Sequence, residues 1–197
     1  SNMGVPGAKS FHLITPGYGN VANLPIAAAN PYFVRFATSP STTVLADAMA
    51  QSPTFFSLWI GANDVLSYST NGGTNSQTVG GVTTYTQATD QKDNPNPATY
   101  RSNDISDPGL VTVAIKTVLD GLKSKGATKG VIANIPYVTS IPYFTTVPYN
   151  PVPLAAASAA TLNGNFAMIN GALASAGQPK RFMTLTASAN NPVLIVD

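Results

Sequence analysis

Two short stretches carry the residue types that acyl-transfer chemistry uses. The first is Gly61-Ala62-Asn63-Asp64, which closes the apolar run Thr54–Ile60. A side-chain amide such as that of Asn63 can donate N–H to an oxygen that becomes negative in a transition state, an interaction worth about 3–4 kcal/mol of barrier. Gly61 permits a sharp turn or a close backbone approach. The same pair also suits a helix cap before Val65, since Asn and Asp are ordinary capping residues. The second stretch is Asn-Met-Gly-Val-Pro-Gly-Ala-Lys-Ser, residues 2–10. Gly7 has no side chain to obstruct its N–H, so it can serve as an anion donor. "GVPG" equally describes a plain turn.

A serine hydrolase also needs a nucleophile and a base within reach of each other. The chain has one histidine, His12, five residues after Gly7 in "SFHLI". That segment reads as a half-buried element in which His12 packs or bonds locally. Ser10, Ser57 and Ser140 lie in a loop, a buried strand and a loop, and no serine occupies a sharp strand-to-helix turn. Cysteine is absent, which excludes thiolate catalysis, disulfides and thiolate-bound metal. Glutamate is also absent and the aspartates are dispersed, so neither a metal centre nor a cofactor is expected.

The elements that must position these residues alternate between helix and apolar strand. Ser41 or Thr42 caps a short helix through Gln51. The buried strand Thr54–Ile60 follows, and Trp59 is read as lying within it. Residues 69–106 are polar and rich in Gly, Thr and Asn, and are expected to form a surface insertion or a lid, with a short hairpin in "GGVTTYTQ". Asp107-Pro108 opens a helix, with a cap followed by proline at the first helical position. Leu110, Val113, Ala114, Val118, Leu119 and Leu122 fall at helical spacing, and Gly126 stops the run. "KGVIANIP" (129–136) is a second buried strand. An aromatic and proline-rich loop (137–153), a helix (154–177) and the strands "RFMTL" (181–185) and "PVLIVD" (192–197) complete the chain. This order predicts one α/β domain, residues 1–197, with a mostly parallel sheet. In such sheets ligands sit beyond the carboxyl ends of the strands, where Gly61–Asp64 lies.

The two stretches together resemble blocks of the SGNH hydrolases, the GDSL lipase/esterase family. Asn2 to Gly7 is similar to the family's Asn-x-x-x-x-Gly pattern, and Gly61, Asn63 and Asp64 to its Gly-x-Asn-Asp. "GVPGAKSFHL" (4–13), "FFSLWIGANDVL" (55–66) and "ANIPYVTSIPYF" (133–144) resemble a bacterial subgroup of that family. The resemblance covers most of residues 2–153. It implies a three-layer α/β/α, flavodoxin-like fold, here incomplete at both ends. It implies a Ser-His-Asp acyl-enzyme mechanism on a small ester, either a lipid or an acylated carbohydrate. It assigns Gly7 and Asn63 to the oxyanion hole, with Gly61 and Asp64 supporting the turn. The family's nucleophile block and its Asp-x-x-His have no counterpart here. The 197-residue chain by itself is therefore expected to be inactive, as a fragment of an ester hydrolase. The alternative is a non-catalytic glycan- or lipid-binding surface protein on the same fold. The loop 137–153 is a candidate substrate wall or simply a cover for the sheet.

Charged residues make up only 9% of the chain and the net charge is +2, with Lys and Arg scattered singly. A nucleic-acid footprint needs clustered basic residues, so none is expected. No apolar run reaches the length of a membrane span. A surface solvated by Asn, Thr, Ser and Gly fits an exported protein: periplasmic, outer-membrane-associated or extracellular. An incomplete sheet would expose apolar surface and favour self-association.

Overall fold

The structure, a computed structural model, describes residues 2–146, 152–188 and 190–191. The fold is mixed α/β, with one parallel strand pair and one antiparallel hairpin. The chain divides into two compact units, Ser1–Val138 and Thr139–Asp197.

In the first unit a 3-10 turn, Ser10–Ile14, precedes α1 (Pro31–Val34) and α2 (Val44–Ala50). Helix α2 is capped by Thr43, whose Oγ1 accepts the Ala46 N–H at 3.0 Å, and not by Ser41 or Thr42. Thr42 is committed elsewhere, donating its hydroxyl to the buried Asp47 carboxylate at 2.7 Å. Strand β1 (Phe55–Leu58) leads through Gly61 into α3 (Asn63–Thr70). Strands β2 (Thr74–Val79) and β3 (Val82–Gln87) form a hairpin longer than the sequence suggested, closed by Gly80-Gly81 with both φ positive at 58° and 80°. That backbone matches the twist of a two-residue hairpin turn.

Helix α4 (Pro108–Ser124) is capped by Asp107, whose Oδ1 accepts the Leu110 N–H at 2.7 Å. Its buried stripe narrows to Ala114, Val118 and Leu122, while Val113 faces solvent. The helix ends where Gly126 N–H bonds Lys123 O at 3.0 Å and Ala127 N–H bonds Leu122 O at 3.2 Å, the double bond pattern of a Schellman stop. Strand β4 (Lys129–Ile132) then pairs parallel with β1, Phe55 opposite Lys129. A helix between parallel strands is the crossover such a pair requires.

The core packs Leu13, Tyr18, Phe33, Val44, Val118 and Leu122 against one face of β1, contributed by Phe56, Leu58 and Ile60. The other face is open. Phe55 is 58% exposed and Trp59 72% exposed, and Val131 and Ile132 of β4 are exposed too. Of the two strands expected to be buried, β1 is covered on one side only, and β4 is exposed at every position. Trp59 is not an interior residue, because the period-2 pleat turns odd positions outward.

The second unit contains the helices α5 (Pro142–Thr145) and α6 (Ala156–Ser175). Residues 181–185, expected to be a strand, pair with no strand among the described residues. Side-chain amides of α6 satisfy the backbone instead. Asn170 accepts the N–H groups of Arg181 (3.0 Å) and Phe182 (3.1 Å) and donates to Phe182 O (2.7 Å). Asn163 does the same for Leu185, at 2.8 and 2.9 Å. The expected strand at 192–197 and the stretch 147–151 of the aromatic loop lie outside the described residues.

Candidate functional site

The site begins at the carboxyl end of β1. Gly61 has φ 107°, and a Cβ there would lie 2.5 Å from Ile135 Cδ1. Only glycine fits such a turn against such a neighbour. Helix α3 then starts at Asn63, its N-cap being Ala62 with no side-chain cap bond. Neither Asn63 nor Asp64 therefore caps the helix. Both side chains reach across to the segment that follows Gly7.

Asn63 Nδ2 donates to Ala8 O at 2.9 Å. The Asp64 carboxylate, only 3% exposed, accepts Ser10 N–H on Oδ2 at 2.8 Å and Ser10 Oγ–H on Oδ1 at 3.0 Å. These three bonds join residues some fifty positions apart in sequence and bring Asn63 beside the Gly7 turn. An amide nitrogen carries two hydrogens. Ala8 O takes one from Asn63 and leaves a second. Gly7 is exposed with φ 78°, and nothing lies within 4 Å of where its Cβ would be. Its N–H has no hydrogen-bond acceptor among the described residues. Gly7, Asn63, Gly61 and Asp64 are thus all at one end of β1.

Behind this end lies a buried polar layer. Lys9 is 5% exposed and its Nζ donates to Asp104 O at 2.6 Å. Burial lowers the Lys9 pKa, against the opposing pull of the Asp64 and Asp104 charges. The Asp104 carboxylate accepts from Asn75 Nδ2, Thr89 N–H and Arg101 N–H, each at 2.9 Å, and from Gln91 Nε2 at 2.6 Å. Burial alone would raise its pKa, but these donors outweigh it and hold the group below the usual carboxylate range. Segment 69–106, expected as a surface insertion or lid, is therefore tied to Lys9 and Asp64 at its end. Its hairpin base is stitched at Asp104, directly behind the Asn63-Asp64 corner, and Ser106 N–H bonds Asp64 O at 3.0 Å.

His12 belongs to this layer by packing. Its Nδ1 accepts the Lys9 N–H at 3.0 Å, which leaves the neutral ring's proton on Nε2. The ring stacks on Tyr18 with centroids 4.2 Å apart. Burial, and then the Lys9 charge, push the His12 pKa down to about 4. Ser10 is 1% exposed and donates its hydroxyl to Asp64, so it faces a carboxylate and not a base.

Along β1 runs a groove of about 500 Å³ lined by every residue of that strand and none of β4. Met3, Val5, Leu45 and Ala48 are among the other apolar residues of its wall. Among the described residues no three of His, Cys, Asp or Glu converge as a metal site would need. Nor is any described helix long and apolar enough to cross a membrane.

Lys9, Ser10 and Asp104 were not singled out as site-forming from sequence. Each reads as an ordinary loop residue, and their roles come from partners distant in the chain. Comparison of the chain with protein-family models, curated proteins and solved structures finds no match.

Proposed function

We propose that Gly7 N–H and Asn63 Nδ2–H are two donors of an oxyanion hole for ester hydrolysis, in a protein of the SGNH/GDSL type. The observation that carries this reading is the Asn63 Nδ2 to Ala8 O bond at 2.9 Å, which sets the amide beside the exposed Gly7 turn. Two donors fixed before reaction are what stabilise a tetrahedral oxyanion, because no reorganisation is needed as charge develops. Gly61 and Asp64 hold the donors in place: Gly61 makes the turn into α3, and Asp64 locks Ser10 three residues beyond Gly7.

The chain's single histidine is committed to Lys9 and Tyr18. The reading therefore places nucleophile and base on polypeptide outside these 197 residues. In the complete protein the sheet would be the three-layer, flavodoxin-like one that the motifs imply, and the protein would be exported. The attacking serine would add to the ester carbonyl, and the resulting oxyanion would accept from Gly7 and Asn63. Collapse would release the alcohol, and water would then cleave the acyl-enzyme.

The test is hydrolysis of short-chain nitrophenyl esters by this chain and by a chain extended at both ends. The extended protein should be active and the present chain inactive. Asn63→Ala in the extended protein should lower kcat about 10²–10³-fold, as removal of a single oxyanion donor does. Undiminished activity in that variant overturns the assignment.

A second reading is favoured by one feature, the exposed Trp59 beside the groove. On that reading the chain binds a glycan or lipid without catalysis. Binding of oligosaccharides or vesicles that is lost in Trp59→Ala, with no esterase activity in the extended chain, would select it.

A further inference from the structure

We propose that Asn30 is the positioning residue for the Gly7 N–H, an inference that rests on the oxyanion reading of Gly7 and Asn63. In a trans peptide the N–H and C=O point in opposite directions, and the two are one rigid plane. Gly7 N–H shares its plane with Pro6 C=O. Whatever holds the Pro6 oxygen therefore aims the Gly7 N–H the other way.

Asn30 Nδ2 donates to Pro6 O at 2.9 Å and to Tyr18 Oη at 3.0 Å, so both amide hydrogens are used. Its Oδ1 accepts Tyr32 N–H at 2.9 Å, capping α1, and its own N–H donates to Tyr18 O at 2.9 Å. An amide with every arm engaged does not rotate. Tyr18 is in turn fixed: it is 5% exposed, belongs to the core and stacks on His12.

The turn around Gly7 is thus clamped from both sides by side-chain amides, Asn30 on the Pro6 carbonyl and Asn63 on the Ala8 carbonyl. Without the first clamp, the Pro6–Gly7 plane could swing about the Gly7 φ and the Pro6 ψ, since glycine restrains neither direction. Asn30 makes a flexible donor a preorganised one, and preorganisation is the property an oxyanion hole depends on.

The test uses this chain labelled with ¹⁵N and ¹³C and titrated with ethyl methylphosphonate, a tetrahedral monoanion. In the native protein the Gly7 amide and the Asn63 side-chain amide should shift together. Asn30→Ser keeps a capping oxygen for Tyr32 N–H but is too short to reach Pro6 O or Tyr18 Oη. It should weaken phosphonate binding about fivefold, the worth of one net hydrogen bond, and reduce the Gly7 response relative to that of Asn63. A purely structural role would lower the thermal midpoint and leave the ratio of the two responses unchanged, which would overturn the proposal. A scalar coupling across the hydrogen bond from Asn30 Nδ2 to the Pro6 carbonyl carbon, measured in the native protein, reports the clamp without any variant. Its absence also overturns the assignment. If neither Gly7 nor Asn63 responds in the native protein, the oxyanion reading falls and takes the Asn30 role with it. If both respond and Asn30→Ser titrates unchanged, the Asn30 role alone is wrong.

Discussion

Asp64→Ala tests whether the carboxylate is the tie between the carboxyl end of β1 and the Gly7 segment. Asp64 and Ser10 are 3% and 1% exposed, so water screens little of their interaction. The carboxylate accepts two bonds, from Ser10 N–H at 2.8 Å and from Ser10 Oγ–H at 3.0 Å. Hydrogen bonds to a charged group contribute roughly 1.5–3 kcal/mol each, and their loss here also orphans a buried backbone N–H. The expected cost is about 3–5 kcal/mol, a large part of the roughly 5–15 kcal/mol that holds a domain folded. Asp64→Asn should cost much less, about 1–2 kcal/mol. Its Oδ1 can still accept the Ser10 N–H, while its Nδ2 donates to a Ser10 hydroxyl turned to accept. With a urea m-value of about 2 kcal/mol/M, the midpoint should fall by about 2 M in Asp64→Ala and by under about 1 M in Asp64→Asn. Urea unfolding followed by circular dichroism reads both. A cycle with Ser10→Ala should give a coupling of about 1–2 kcal/mol, since the two side chains touch. The reasoning is refuted if Asp64→Ala lies within about 1 kcal/mol of the parent. It is equally refuted if Asn costs as much as Ala, because the tie would then not be made of these bonds.

Three further outcomes are expected. His12, held down to a pKa of about 4 by burial and the Lys9 charge, should titrate near that value by NMR rather than at the ordinary 6.5. The unfolded chain takes up this proton first on acidification, so stability should fall as pH drops from 6.5 toward 4; a His12 titration near 6.5 contradicts the packing described. Asp104→Ala removes the acceptor for four donors from residues 75–101, and amide exchange in β2 and β3 should speed markedly while exchange in α4 changes little; uniform loss of protection would mean that Asp104 supports the whole unit. The uncovered face carrying Phe55 and Trp59 should drive concentration-dependent association by sedimentation, insensitive to salt and reduced in Trp59→Ser; a monomer at all concentrations would show the face to be harmless.

Local chemistry made much of the fold legible. The Asp107-Pro108 start and Gly126 stop of α4 are set by caps that act within a few residues, and both are where the sequence places them. Strands β1 and β4 lie within the apolar runs that mark them, and Gly80-Gly81 marks the hairpin turn, while the first hairpin strand, Thr74–Val79, carries no such mark. Misreadings arise where a distant partner decides. "RFMTL" has strand composition, yet the backbone of Arg181, Phe182 and Leu185 is bonded by Asn163 and Asn170 of α6, and amides on a helix leave no periodic mark. Thr42 and Thr43 are equivalent caps locally, and Asp47 chooses between them.

For the candidate site the division is sharper. The sequence by itself determined that Gly61 ends a strand in a turn, that Asn63 and Asp64 are polar residues delivered to the end of an apolar run, and that a single histidine is present. It left open whether the Asn-Asp pair caps its own helix. Only tertiary structure decided that both side chains cross to Ala8 and Ser10, and that Asn30 closes on Pro6 from the other side. The physical reason is that a capping bond and a cross-chain bond satisfy the same amide or carboxylate equally well. Which one forms depends on which buried donors and acceptors folding brings within about 3 Å, and spacing along the chain does not encode that.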